Sequence, residues 1–160
     1  MLPDLTGQVI MVEKIISGGQ TGVDRAALDV AVELEIPCGG WCPKGRRAED
    51  GVIPDQYPLE ETSSAEYPLR TGLNVQDSDG TLILTCGSPR GGTALTIKLA
   101  QKHRKPYLMV DLSAEEDVSR VQAWVEKSKI RILNIAGPRE SEAPGIYARA
   151  FYFLKRTLDQ

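Results

Sequence analysis

Apolar residues follow two periods along this chain, and the change from one to the other recurs to its end. Glu13 to Ser17 holds a short β-branched run that predicts a strand. Val23, Ala26, Ala27, Val30, Ala31 and Leu34 then fall at the spacing of one buried helical face. Pro37 to Trp41 reads as a second short strand, Thr81 to Thr85 as a third, and Pro106 to Val110 as a fourth. A helix is predicted over Ala94 to His103, and another from Val118, Val121 and Val125, opened by Ser113 and Glu116 as a capping box. Arg131 to Ala136 supplies a fifth strand, and Tyr147, Phe151, Leu154 and Leu158 mark a last helix. The segment from Cys42 to about Tyr67 is rich in Pro, Gly and charge, and is expected to be irregular. Strand and helix alternate, which implies right-handed crossovers and a three-layer α/β fold: a mostly parallel sheet of about five strands with helices on both faces.

A chain of 160 residues suits one domain, expected over 1–160, that buries roughly 70% of the surface its unfolded form exposes. With 19 basic and 22 acidic side chains the net charge is −3, so no global field draws in nucleic acid or an anionic membrane, and any anion site has to be local. No apolar stretch approaches the ~20 residues that span a bilayer, and the expected location is cytoplasmic. Cys38, Cys42 and Cys86 are too few for a disulfide framework and lack the spacing and partners of a zinc site, so no protein-bound metal is expected. Because all three fall at or beyond strand ends, a thiol near a ligand stays open.

Two glycine-rich turns concentrate the chemistry. Ser17-Gly18-Gly19-Gln20-Thr21-Gly22 and Gly87-Ser88-Pro89-Arg90-Gly91-Gly92-Thr93 each follow a strand and open a helix. Glycine admits close approach of a ligand to the backbone, and the free N–H groups of a helix start attract an anion, phosphate above all. Parallel strands deliver both turns to one sheet edge, the usual crevice of such folds. Neither turn is a P-loop, for no Lys-Ser or Lys-Thr follows, and neither has the G-x-G-x-x-G spacing. Asp24 in the first helical turn either complements the helix dipole or orients Arg25 or a ligand hydroxyl. Lys44, Arg46 and Arg47 form a basic cluster that is either a solvated face or a phosphate contact, and Arg90 and Arg139 have the planar fork suited to phosphate. The lone His103 sits near a helix end, where it complements the dipole, so histidine acid–base catalysis is not expected. Glu49, Asp50, Glu60 and Glu61 are conceivable bases, more simply read as solvated charges.

The run Gly18-Gly19-Gln20-Thr21-Gly22-Val23-Asp24-Arg25, followed by Gly40-Trp41-Cys42-Pro43-Lys44-Gly45-Arg46, resembles the putative molybdenum carrier family. Arg70-Thr71 with Asn74-Val75, Ser78-Asp79-Gly80-Thr81, Gly91-Gly92-Thr93 and Ala136-Gly137-Pro138-Arg139-Glu140-Ser141 continue the likeness in order. The resemblance implies a Rossmann-like fold of the permuted SLOG kind, related to the lysine-decarboxylase-like proteins and the nucleotide phosphoribohydrolases. It implies a site for molybdenum cofactor, whose metal arrives inside the pterin, or for a nucleotide-like ligand, with molybdoenzymes as recipients and a homo-oligomer as the expected assembly. The ligand-binding set is then Gly18, Gly19, Gln20, Thr21, Gly22, Asp24, Arg25, Lys44, Arg46, Arg70, Asn74, Gly87, Ser88, Arg90, Gly91, Gly92, Thr93, Thr96 and Arg139, with no catalytic residue assigned. The phosphoribohydrolases carry a glutamate where this chain has Thr96, and a hydroxyl cannot replace a carboxylate in proton transfer. A nucleotide-processing enzyme and a nucleotide-sensing regulatory domain remain the alternatives to a carrier.

Overall fold

The computed structural model describes residues 12–114 and 117–159. Five strands form a parallel sheet: β1 (Lys14–Ile16), β2 (Cys38–Gly39), β7 (Gly80–Thr85), β8 (Tyr107–Asp111) and β9 (Ile132–Ala136). Their spatial order is β2-β1-β9-β7-β8, so the strand latest in the chain lies at the centre. The helices are α1 (Val23–Glu33), α2 (Tyr67–Gln76), α3 (Gly91–Lys102), α4 (Val118–Lys127) and α5 (Ile146–Leu158). The crossovers β1-α1-β2 and β7-α3-β8 step outward in opposite directions, and right-handedness sends α1 and α3 to opposite faces. Accordingly α1 packs with α5, which also meets α4, while α2 packs with α3. This is the Rossmann-like α/β architecture expected from the alternation.

All six residues of β7 are buried, as a central parallel strand requires. The main core joins the sheet to the α1, α4 and α5 face through Ile15, Val30, Leu82, Leu133, Phe153 and Leu154. Asn134 of β9 satisfies its buried amide on Thr81 Oγ1 of β7 at 3.2 Å.

Several sequence expectations shift. The run at 37–41 divides, with Cys38–Gly39 in the main sheet and β3 (Trp41–Cys42) paired in parallel to β6 (Glu60–Glu61) outside it. The segment expected to be irregular holds that pair and a hairpin of β4 (Arg47–Ala48) and β5 (Gly51–Val52), all too short to show a period. It closes over its own small core of Leu28, Cys42, Ile53, Tyr57 and Leu59. Helix α2 lies outside the predicted elements, because of its buried residues Thr71, Gly72, Asn74 and Val75 only Val75 is a large apolar side chain. Helix α3 starts three residues earlier than the apolar pattern suggested. Ser113 does not cap α4: its hydroxyl goes to Asp111 Oδ1, and Asp117 accepts from Arg120 N instead, while Glu116 lies outside the described residues. Among the described residues no helix is long and apolar enough to cross a membrane.

Candidate functional site

Because β1, β9 and β7 are neighbours, the loops leaving their carboxyl ends lie side by side, with 137–145 between the two glycine turns. The sheet order diverges here, which is where α/β folds bind ligands. The two turns nevertheless differ in character.

The first turn is closed by the protein itself. Gly19 N–H donates to Ser17 Oγ, Gln20 N–H to Asp24 Oδ2 at 3.2 Å, Thr21 N–H to the Gln20 side chain, and Val23 N–H to Pro138 O. Gly22 has φ 78°, and a Cβ there would lie 2.4 Å from Pro138 O, so the glycine is needed for contact between loops. Gly19 lies under Ile53 and Leu59, and Gly18 under Arg70. Asp24 is buried and pairs with Arg70 Nη1 at 3.2 Å; burial pushes its carboxyl up, against the pull of Arg70 and the Gln20 N–H. Arg70 Nε is buried without a partner among the described residues. Arg25 reaches back to Gly19 O and forks onto Asp50 at 3.1 and 3.2 Å.

The segment 42–66 is bound over this turn. Gln20 Oε1 accepts from Glu49 N–H at 2.8 Å, and the Glu49 carboxylate accepts the hydroxyls of Thr21 and Ser141 as well as Ser141 N–H. Slight burial pushes Glu49 up, but the hydrogen bonds from Ser141 and Thr21, with Arg139 nearby, outweigh it and the net shift is downward. Arg46 is committed to the loop: Nε meets Ile53 O, Nη1 Leu59 O, and Nη2 both Pro54 O and Tyr57 O. Asn74 clamps the Trp41 backbone, accepting its N–H at 2.7 Å and donating to its carbonyl at 3.0 Å. Lys44 is exposed on the same loop. Tyr57 and Tyr147 both donate to Asp29, tying the loop and α5 to α1.

The second turn is open. Asp111 holds its base by accepting Gly87 N–H at 3.0 Å, and hydrogen bonds from Gly87 and Ser113 draw the Asp111 carboxyl down. Beyond that anchor a shallow pocket, about 300 Å³ counting the open solvent within it, is lined by Thr85, Cys86, Ser88, Arg90, Thr93, Pro138 and the Glu142 side chain. The starts of α1, α4 and α5 accept hydrogen bonds on carboxylates from Asp24, Asp117 and Glu140, whereas α3 has no such cap, although Glu142 Oε2 lies 3.6 Å from where a Cβ on Gly91 would stand. Among the described residues no acceptor meets the N–H groups of Gly91 and Gly92, and no carboxylate pairs with the exposed Arg90. Gly91 has φ 52°, and a Cβ on Gly92 would enter open space. Thr93 lines the pocket, where solvent reaches its hydroxyl, and that hydroxyl bonds no group among the described residues. Thr96 gives its hydroxyl to Gly92 O at 3.0 Å. Arg139 pairs with Glu142 at 3.1 Å, at the pocket's edge.

The structure therefore separates the sequence candidates into two groups. Gly18 to Arg25, Arg46, Arg70 and Asn74 build the wall and fasten the loop, while Ser88, Arg90, Gly91, Gly92 and Thr93 surround the open pocket with Arg139 beside it. Sequence reading missed Pro138, Glu142 and Asp111, whose contribution depends on β9 and β8 flanking β7; Cys86 was signalled only by its place at a strand end. Among the described residues no cluster of His, Cys, Asp or Glu could hold a metal ion.

Comparison with known proteins agrees with this architecture. A crystal structure of a "putative molybdenum carrier protein" from Syntrophus aciditrophicus SB is 47% identical, with TM-score 0.90 over 93% of this chain and 96% of that one. No protein of curated function matches. Residues 15–158 match the model of a family described as circularly permutated YpsA SLOG. With that match running from β1 to the end of α5, the chain belongs to the circularly permutated YpsA SLOG family.

Proposed function

We propose that this protein is a carrier that holds a phosphorylated heterocycle, with molybdenum cofactor as its cargo, and that the phosphate sits at the start of α3. The observation that carries this reading is the start of α3, where among the described residues no acceptor meets the Gly91 and Gly92 N–H groups and the Ser88, Arg90 and Thr93 side chains line the same solvent-open pocket. An anion there would receive two N–H donors, the Thr93 and Ser88 hydroxyls and the Arg90 guanidinium, and would gain from the helix dipole. The name of the 47%-identical relative supports the choice of cargo. The heterocycle extends from the pocket along the β9 loop, where Arg139 exchanges Glu142 for ligand oxygens. Holding a ligand needs donors and shape; hydrolysis also needs a group poised to move a proton, and Thr96 has already spent its hydroxyl on Gly92 O. Delivery to an apo-molybdoenzyme completes the role.

Phosphate titration followed by backbone amide NMR tests the location. Shifts are expected at 88–93 and not at 18–22, and they should vanish in Arg90→Ala combined with Thr93→Val. Shifts confined to the first turn, or none, would overturn the placement. Native mass spectrometry of protein purified without oxygen tests the cargo, with a retained pterin and its metal as the expected mass.

A further inference from the structure

Among the residues lining the pocket at α3, Glu142 brings the one carboxylate, and its own loop fixes its place. Its backbone N–H closes a turn on Arg139 O at 3.1 Å, and its Oε1 accepts Arg139 Nε at 3.1 Å. Oε2 faces the start of α3, 3.6 Å from where a Cβ on Gly91 would stand, and no donor among the described residues bonds it. An acceptor therefore stands beside the Gly91 and Gly92 N–H groups and Arg90. For a fully ionised oxyanion that acceptor is a liability, because negative oxygens brought together in one site repel.

We propose that Glu142 makes this pocket select an oxyanion that carries a proton, phosphate or a protonated phosphate monoester, over one that carries none, such as sulfate. The inference rests on the placement of the phosphate at α3 given above. When Arg139 turns to the ligand, Glu142 loses its cation and faces the ligand's oxygens. One proton held between them removes the conflict: the ligand's P–O–H donates to Glu142 Oε2 in a charge-assisted O–H···O bond. Inorganic phosphate brings that proton throughout the neutral range. A monoester loses its second proton near ~pH 6, so at ~pH 7 it has to take one from solvent, which costs about tenfold in affinity. Sulfate is fully ionised and meets the carboxylate as a repelling neighbour. The other charged or titratable groups that share the pocket or stand near Arg139 are Arg90, Cys86 and Glu49. Glu140, on the same loop, is committed to the Gly145 and Tyr147 N–H groups. Phosphate and sulfate have nearly the same size and shape, so N–H groups, hydroxyls and arginines alone would hold both.

The test is isothermal titration of the full chain with inorganic phosphate, sulfate and glycerol phosphate. Buffers of different ionisation enthalpy count the protons taken up on binding. At about pH 7.5 phosphate should bind at least ~10-fold tighter than sulfate, and glycerol phosphate should bind with uptake of close to one proton. Between about pH 7.5 and 6 the affinity for glycerol phosphate should rise about tenfold, as more of it carries the proton. Glu142→Gln should bring sulfate to within ~3-fold of phosphate and abolish the proton uptake. Freeing Arg139 from its partner acts on all three anions together, so the phosphate-to-sulfate ratio and the proton count report the carboxylate alone. Sulfate bound as tightly as phosphate by the parent, glycerol phosphate bound without a proton, or an unchanged ratio in Glu142→Gln would each refute the selection while the placement at α3 stands. A protein that binds neither phosphate nor sulfate, or whose amide shifts lie only at 18–22, overturns the placement and the selection with it.

Discussion

Replacing Thr93 with Val should weaken phosphate binding while leaving stability almost unchanged. The two side chains have nearly the same volume, both are β-branched, and their helix propensities are close, so the change removes one hydroxyl and little else. That hydroxyl lines the pocket, where solvent reaches it, so there is no desolvation cost for Val to relieve and stability should stay within ~0.5 kcal/mol of the parent. With phosphate present the effect appears: a hydrogen bond to a charged oxygen contributes ~1.5–3 kcal/mol, so its loss weakens binding ~10- to 100-fold. Urea unfolding with an unchanged m-value reads the stability, and isothermal titration with phosphate reads the affinity. A variant that binds phosphate as well as the parent would show that the hydroxyl takes no part in holding it.

Three other outcomes follow from the first turn and its cover. Gly19→Ala puts a Cβ 2.5 Å from Leu59 Cδ1 at φ +80°, and should lower stability by at least ~1–3 kcal/mol in urea while exposing the loop to proteolysis. The Tyr57 phenol is pushed up to about 12 by burial and by its bond to Asp29, and Tyr147 is raised by the same causes. The unfolded chain therefore releases these protons first as pH rises above 10, so stability should fall from there toward 12, and Tyr57→Phe should flatten that limb of a pH–melting curve. Glu49 has the opposite sign: its depressed carboxyl favours the folded form above its ordinary value of 4.5, and the contribution is lost as pH falls through the folded value. Hydrogen exchange across 43–66 should rise on acidification, and Glu49→Gln should raise it already at neutral pH.

Long elements with a repeating apolar face were legible in the sequence, and α1, α5 and β7 stand where the pattern put them. Helix α2 was not, because it buries Thr71 and Asn74 for hydrogen bonding to Tyr67 O and the Trp41 backbone, with no apolar stripe. Of the two-residue strands at 41–61, β3 and β6 meet across a long separation while β4 and β5 form a local hairpin, and all are too short to leave a period to read. At the site, both glycine turns looked alike as sequence. What distinguishes them is tertiary: Asp24, Gln20 and Pro138 supply acceptors to the first, while among the described residues no acceptor bonds the Gly91 and Gly92 N–H groups. Arg46 shows the same limit. Its charge and position suited a phosphate contact, but four carbonyls of one folded loop claim its guanidinium.

The central place of β9 sets an order of events during synthesis. Until residues 132–136 have left the ribosome, β1 with β2 and β7 with β8 are two separate ribbons with no edge in common. A nascent chain can form each half locally, yet the wall between the two turns has no strand to hang from. Pairing across such long sequence separations is slow, and the exposed edges of β1 and β7 invite mispairing meanwhile. Chains that stall or are clipped before β9 should therefore emerge as aggregation-prone halves that lack the wall between the two turns.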